Sequence, residues 1–133
     1  MTRRPRGFTL MEILLVLAIL VVLGAMVGVG YSRVQVNAMK SAAKTQIGLL
    51  EDATKLYTLD VGSPPSSLDA LITPPSDLAN PNKWQGPYLE KTTLPQDPWN
   101  SPYQYEVTDA ANGKFRIWSA GPPGANQEIS TTQ

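Results

Sequence analysis

The chain has 133 residues with 11 basic and 11 acidic side chains, no cysteine and no histidine. That composition suits one small domain plus a further segment, and it excludes disulfide frameworks, Cys/His zinc sites and His-dependent catalytic triads. The balanced charge hides an asymmetry: Arg3, Arg4 and Arg6 crowd the first seven residues, and without residues 1–7 the remainder has 8 basic against 11 acidic groups, a net charge of −3. No basic tract remains, so nucleic acid is not an expected partner.

The first element is apolar. From Ile13 to Gly30 runs an uncharged stretch of 18 residues, roughly 27 Å as a helix at about 1.5 Å per residue. Phe8 to Met11 extend it, and together they suffice for a hydrocarbon core about 30 Å thick. The arginines before it predict an N-terminus held in the cytoplasm and a C-terminal part across the membrane. Glu12 interrupts this pattern. A carboxylate in a membrane helix costs several kcal/mol at mid-bilayer and less near an end, so it calls for a partner. Cleavage after Gly7 creates one, a free α-amino group on Phe8 four positions before Glu12. In a bundle of parallel helices, Glu12 of one subunit then meets the amine of its neighbour only in the correct axial register. The plainer readings are a secretory signal peptide and a simple anchor. The apolar run is long for a signal peptide, no A-x-A site follows it, and neither reading accounts for the acid at its start.

Gly7-Phe8-Thr9-Leu10-Met11-Glu12-Ile13 resembles the prepilin-peptidase site of type IV pilins and type II secretion pseudopilins. The resemblance implies a cut after Gly7, N-methylation of Phe8 by the same peptidase, and an assembly role for Glu12.

Between Tyr31 and Asp60 there is no proline and one glycine, Gly48. Val36, Met39, Ala43, Ile47, Leu50 and Tyr57 recur mostly at three- and four-residue steps, opposite Lys40, Lys44, Glu51, Asp52 and Lys55. This pattern predicts an amphipathic helix ending near Gly62, with Pro64 and Pro65 beyond. Phe8 to Asp60 then form one helix of 53 residues, about 80 Å long. The alternative is two helices hinged near Gly24, Gly28 and Gly30. The resembled family commonly has a proline where this chain has Val29, so a proline-induced break is not carried over.

Residues 62–133 differ in composition, with eleven of the twelve prolines between Pro64 and Pro123. Residues 67–72 predict a short helix. Tyr103–Thr108 and Lys114–Ser119 read as strands, the second with Phe115, Ile117 and Ser119 on one side, and Asn112-Gly113 signals a hairpin between them. Trp84, Tyr88, Trp99, Tyr103, Tyr105 and Trp118 are assigned to the core rather than to a carbohydrate-binding platform. A small domain without disulfides needs such side chains to fill its interior.

The resemblance narrows here. Tyr57-Thr-Leu-Asp-Val-Gly62, Leu68-Asp-Ala-Leu71, Trp84-Gln-Gly-Pro-Tyr-Leu89, Leu94-Pro-Gln-Asp-Pro-Trp99, Pro102-Tyr-Gln-Tyr105 and Trp118-Ser-Ala-Gly121 occur in order. The series resembles the major pseudopilins of the type II secretion system, the general secretion pathway protein G family. Asp97-Pro98-Trp99 reads as a proline-fixed turn that delivers Trp99 to the core before a strand. The resemblance also implies a calcium site in the loop from Ser119 to Ile129. There Pro123 stands where the family has an aspartate, Glu128 substitutes for another, and Ala120 offers a carbonyl. One carboxylate is few for a cation that takes six to eight oxygens, so no cofactor and no tight calcium site are expected.

The expected protein is α+β, with a long N-terminal helix on a small antiparallel sheet. Residues 1–7 are read as leader, 8–30 as membrane-spanning assembly helix, 31–61 as amphipathic helix and 62–133 as periplasmic head. No nucleophile–base pair and no phosphate-cradling loop is present, so the expected role is structural rather than enzymatic. By resemblance, the subunit sits in the bacterial inner membrane and polymerises into a helical periplasmic fibre that drives protein export across the outer membrane. Its implied partners are copies of itself, the prepilin peptidase, minor pseudopilins and an inner-membrane assembly platform with its ATPase. The alternatives are a type IV pilin, a DNA-uptake pseudopilin, or a membrane-anchored binding module that does not polymerise.

Overall fold

The computed structural model describes residues 7–125 and 127–131, with backbone alone at 28–32. The leader arginines Arg3, Arg4 and Arg6 lie outside the described residues. The chain divides into two compact units, Met1–Ala38 and Met39–Gln133.

The dominant element is helix α1, Leu10–Val61, of 52 residues. Its start is set by Thr9, whose hydroxyl accepts the Glu12 amide at 3.3 Å and whose carbonyl accepts Glu12 N at 3.1 Å and Ile13 N at 3.3 Å. Phe8, expected inside the helix, stands before this cap. The helix ends on Gly62, at φ 95°, whose amide donates to the Thr58 carbonyl at 2.9 Å. This is the left-handed glycine cap that closes many helices. The backbone is helical through Gly24, Gly28 and Gly30, so the alternative of two separate helices is set aside.

In the first unit the helix has no buried residue from Leu10 to Val27. In the second unit one face is buried at Ala43, Ile47, Leu50, Thr54 and Tyr57, the three- and four-residue spacing of a helix packed on one side. Burial starts later than the apolar pattern: Met39 is half-buried and Val36 is exposed. Leu56 and Leu59 are exposed.

Against the buried face lie a 3₁₀ turn, Leu68–Leu71, and an antiparallel sheet of β1 (Gln104–Asp109), β2 (Lys114–Ser119) and β3 (Ile129–Ser130) in the order β1-β2-β3. Pairing runs from Gln104 opposite Trp118 to Val107 opposite Phe115, then slips by one residue so that Asp109 meets Lys114. The turn spans four residues rather than the two of Asn112-Gly113, because Asp109 accepts Asn112 N at 3.2 Å and Asn112 Nδ2 at 2.6 Å. Gly113 supplies the positive φ, 67°. Sequence periodicity did not mark β3. A two-residue strand carries no alternation to detect, and pairing with Trp118 and Ser119 is what defines it.

The core comprises the α1 face with Leu68, Ala70, Leu71, Tyr103, Ile117 and Ile129. Each fully buried large aliphatic side chain contributes about 1.5–3 kcal/mol. Trp84, Tyr88, Trp99 and Tyr105 pack around this centre. Their polar atoms find partners: Trp84 Nε1 donates to Ala70 O at 2.9 Å, Tyr105 Oη to Pro65 O at 2.7 Å and Tyr88 Oη to Asp60 Oδ2 at 2.9 Å. Trp118 is the exception to the core assignment. Strand alternation turns it to the face opposite Ile117, where it is half-buried and the Arg116 guanidinium lies 4.6 Å above its ring.

Candidate functional site

Two regions carry the candidate site residues: the N-terminal segment and the loop between β2 and β3.

In the N-terminal segment, Gly7, Phe8 and Thr9 precede the helix and Glu12 occupies its first turn. Thr9 and Glu12 stand in the Thr-x-x-Glu spacing of a capping box, and the observed half of that box is the Glu12 amide on the Thr9 hydroxyl. A carboxylate at this position also faces the positive end of the helix dipole. Phe8, Leu10 and Met11 are each about four-fifths exposed, at 78%, 80% and 81%. The residues read as a processing site thus lie together outside the helix, and the charge read as an assembly device sits inside it. Chemically, the segment offers a peptide bond free of helical hydrogen bonding and, once that bond is cut, an amine close to an acid.

In the second region, Ala120 is exposed at the start of the loop, and Glu128 is exposed at its end with Oε2 2.5 Å from Arg116 Nη2. The loop carbonyls of Pro122 and Ala125 accept the amides of Ala125 at 3.1 Å and Gln127 at 2.6 Å. Among the described residues, no three acidic, His or Cys side chains converge as a metal-ligating group. A calcium ion needs six to eight oxygens. The one carboxylate here is held by a guanidinium, and two carbonyls are engaged in the loop's own turns. Among the described residues of the loop, Glu128 is thus the one carboxylate, and it is already paired.

A residue that sequence reading passed over as chemistry is Asp97, buried at 3% exposed. Its Oδ1 accepts the amides of Trp99 at 3.0 Å and Ser101 at 2.8 Å, and its Oδ2 accepts the Ser119 hydroxyl at 2.6 Å. The available signal was Asp-Pro at a turn, where an aspartate folds back on the backbone two residues on. The link to Ser119, 22 residues away, had no local signal.

Ionisation follows burial in this unit. Burial pushes the Tyr103 and Tyr105 phenols up to about 12, aided by the negative charge of Asp97 at Tyr103 and by Tyr57 at Tyr105. Tyr57 and Tyr88 are raised for the same first reason. Asp109 is held below the usual carboxylate range by the Asn112 side chain and amide.

Comparison with known proteins places these features in a family. A family model described as "Type II secretion system (T2SS), protein G" matches residues 31–132. A second, "Prokaryotic N-terminal methylation motif", matches residues 2–28. The "Type II secretion system core protein G" of Dickeya chrysanthemi is 38% identical over 128 residues, covering 93% of this chain and 82% of that one. The Aeromonas hydrophila protein of the same name is 36% identical, covering 92% and 86%. That of Escherichia coli (strain K12) is 36% identical, also covering 92% and 86%. With its apolar helix and small antiparallel sheet, the chain belongs to the type II secretion system protein G family, a structural pseudopilin class and not a class of enzymes.

Proposed function

We propose that this chain is the main building block of a type II secretion pseudopilus. Prepilin peptidase removes residues 1–7 after Gly7 and methylates the new amine of Phe8. The mature subunit waits in the bacterial inner membrane, its N-terminus at the cytoplasmic side and its head in the periplasm. A membrane assembly platform, driven by a cytoplasmic ATPase, lifts it into a helical periplasmic fibre. Minor pseudopilins join that fibre, and its growth drives protein export across the outer membrane.

One observation carries this reading: an apolar helical stretch with no buried residue from Leu10 to Val27, bearing Glu12 in its first turn. Lipid satisfies the apolar surface but not the carboxylate. Parallel copies of the same helix satisfy both, because each Phe8 amine becomes a counter-charge for a neighbour's Glu12. That pairing forms in one axial stagger only, so the acid acts as a register device. The match to the N-terminal methylation motif supports the processing step. The family match over residues 31–132 favours secretion over a type IV pilus or DNA uptake.

The test is mass spectrometry of the membrane-extracted protein with fibre imaging alongside. The expected mature protein begins at a methylated Phe8, and Glu12→Val abolishes or weakens fibres while membrane insertion survives. A mature protein that starts at unmodified Met1 removes the basis of the assignment. Normal fibres from Glu12→Val remove the register role.

A further inference from the structure

A buried polar cluster in the head surrounds Asp97. Its carboxylate takes three hydrogen bonds, from Trp99 N, Ser101 N and Ser119 Oγ. Its backbone closes the same turn, with Asp97 N donating to Ser101 O at 2.9 Å and Asn100 N donating to Asp97 O at 3.0 Å. Asn100 at φ 61° and Pro98 fix the turn's path. Ser119 is fully buried at the end of β2, and its hydroxyl oxygen also accepts the Gly121 amide at 3.0 Å. One carboxylate thus ties the 97–101 turn to the opening of the loop after β2. Hydrogen bonds to an ionised acceptor are shorter and stronger than neutral ones, and the 2.6 Å Ser119 contact lies in that class.

The far end of the loop is tied separately. Arg116 holds Glu128 at 2.5 Å, and Lys40 Nζ donates to Gln127 Oε1 at 2.7 Å. Thr131 donates to Glu51 on α1. Ile129 and Ser130 pair with Ser119 and Trp118 as β3. In the middle, Gly121 sits so close to Gln127 O that a Cβ there would lie 2.3 Å from it.

We propose that the loop joining β2 to β3 is held closed by these protein contacts alone, with Asp97 as its buried lock, so that this head keeps its fold without a divalent cation. The chemistry of the oxygens carries the inference. The Asp97 carboxylate is bound by N–H and O–H donors, which present positive hydrogens to it and fill three of its roughly four lone-pair directions. Glu128 is committed to Arg116. The family resemblance implied a calcium loop, and in this chain a network of hydrogen bonds and one ion pair does the same mechanical work.

The test uses the full chain in detergent micelles, with thermal unfolding followed by circular dichroism in chelator and in millimolar calcium. A ligand that binds only the native state raises Tm by mass action. The expected Tm is the same in both buffers to within about 1 °C, and titration calorimetry shows no calcium binding. Ser119→Ala removes one bond from Asp97 and one from Gly121, and lowers Tm by roughly 4–8 °C equally in both buffers. Asp97→Ala lowers it further, and the double variant loses less than the sum of the two single losses because both remove the same Asp97–Ser119 bond. A wild-type Tm that rises by roughly 5 °C or more with calcium, or a Ser119→Ala protein with unchanged Tm, overturns the proposal. Should Asp97→Ala fail to accumulate, Ser119→Ala decides alone.

Discussion

Gly62 and Gly121 both adopt positive φ, 95° and 77°, yet they are required for different reasons. A Cβ at Gly62 would meet nothing within 4 Å, whereas one at Gly121 would meet the Gln127 carbonyl oxygen at 2.3 Å. Gly62→Ala is expected to cost about 1–2 kcal/mol, the left-handed conformation alone. Gly121→Ala adds a clash with backbone that cannot swing aside, and is expected to cost several times the Gly62→Ala loss in chemical unfolding. Gly62 was legible in the sequence because a helix pattern ends on it. Gly121 was not, because the atom that demands it lies six residues downstream and arrives only when the loop closes. The tyrosines carry a second residue-scale prediction. The phenols of Tyr103 and Tyr105 are raised from 10 to about 12. A raised folded value means the native state keeps protons that the unfolded chain has lost. The contribution is therefore complete below about pH 10 and disappears as pH rises through 12. Tyrosinate absorbance is expected to rise late in the native protein, with stability falling across that window. Normal titration of all the tyrosines near pH 10 would contradict the packing of β1.

At the scale of elements, period was the readable quantity. α1 was legible because apolar and polar residues alternate at helical spacing for three turns and more, with a glycine cap after them. β1 and β2 were legible from alternation and the Asn112-Gly113 turn. β3 and the four-residue turn were not, since one depends on a partner strand and the other on the Asp109 side chain. The same reasoning misassigned Trp118, because aromatic content was counted without asking which face of β2 each ring takes. Burial now separates residues that look alike in the sequence. Leu71 is fully buried and Leu56 is 54% exposed. Leu71→Ala is expected to destabilise the protein by about 2–5 kcal/mol, and Leu56→Ala to stay within about 0.5 kcal/mol. Denaturant unfolding of the two variants checks both burial assignments, and a large loss at Leu56 would mean that the head packs on the other side of the helix.

For the molecule as a whole, the division between an exposed apolar unit and a packed one means that stability and assembly can be separated by mutation. Thr9 and Glu12 are the pair to use. The helix cap employs the Glu12 backbone amide and the Thr9 hydroxyl. Glu12→Gln leaves that bond intact and removes only the charge. Thr9→Ala leaves the charge and removes the cap, at a cost of about 0.5–2 kcal/mol of local helix stability. If Glu12 acts through its charge on a neighbour's amine, Glu12→Gln lowers fibre yield sharply while helicity in micelles and head Tm stay at wild-type values. Glu12→Asp retains the charge on a shorter arm and is expected to recover part of the yield. Thr9→Ala is expected to reduce amide protection in the first turn without shifting head Tm. These outcomes are read by fibre imaging, circular dichroism and hydrogen exchange on the same preparations. Equal fibre loss in Glu12→Gln and Thr9→Ala, with matching fraying of the first turn, would instead assign Glu12 a local helix-starting role and leave the register of the fibre to the apolar side chains.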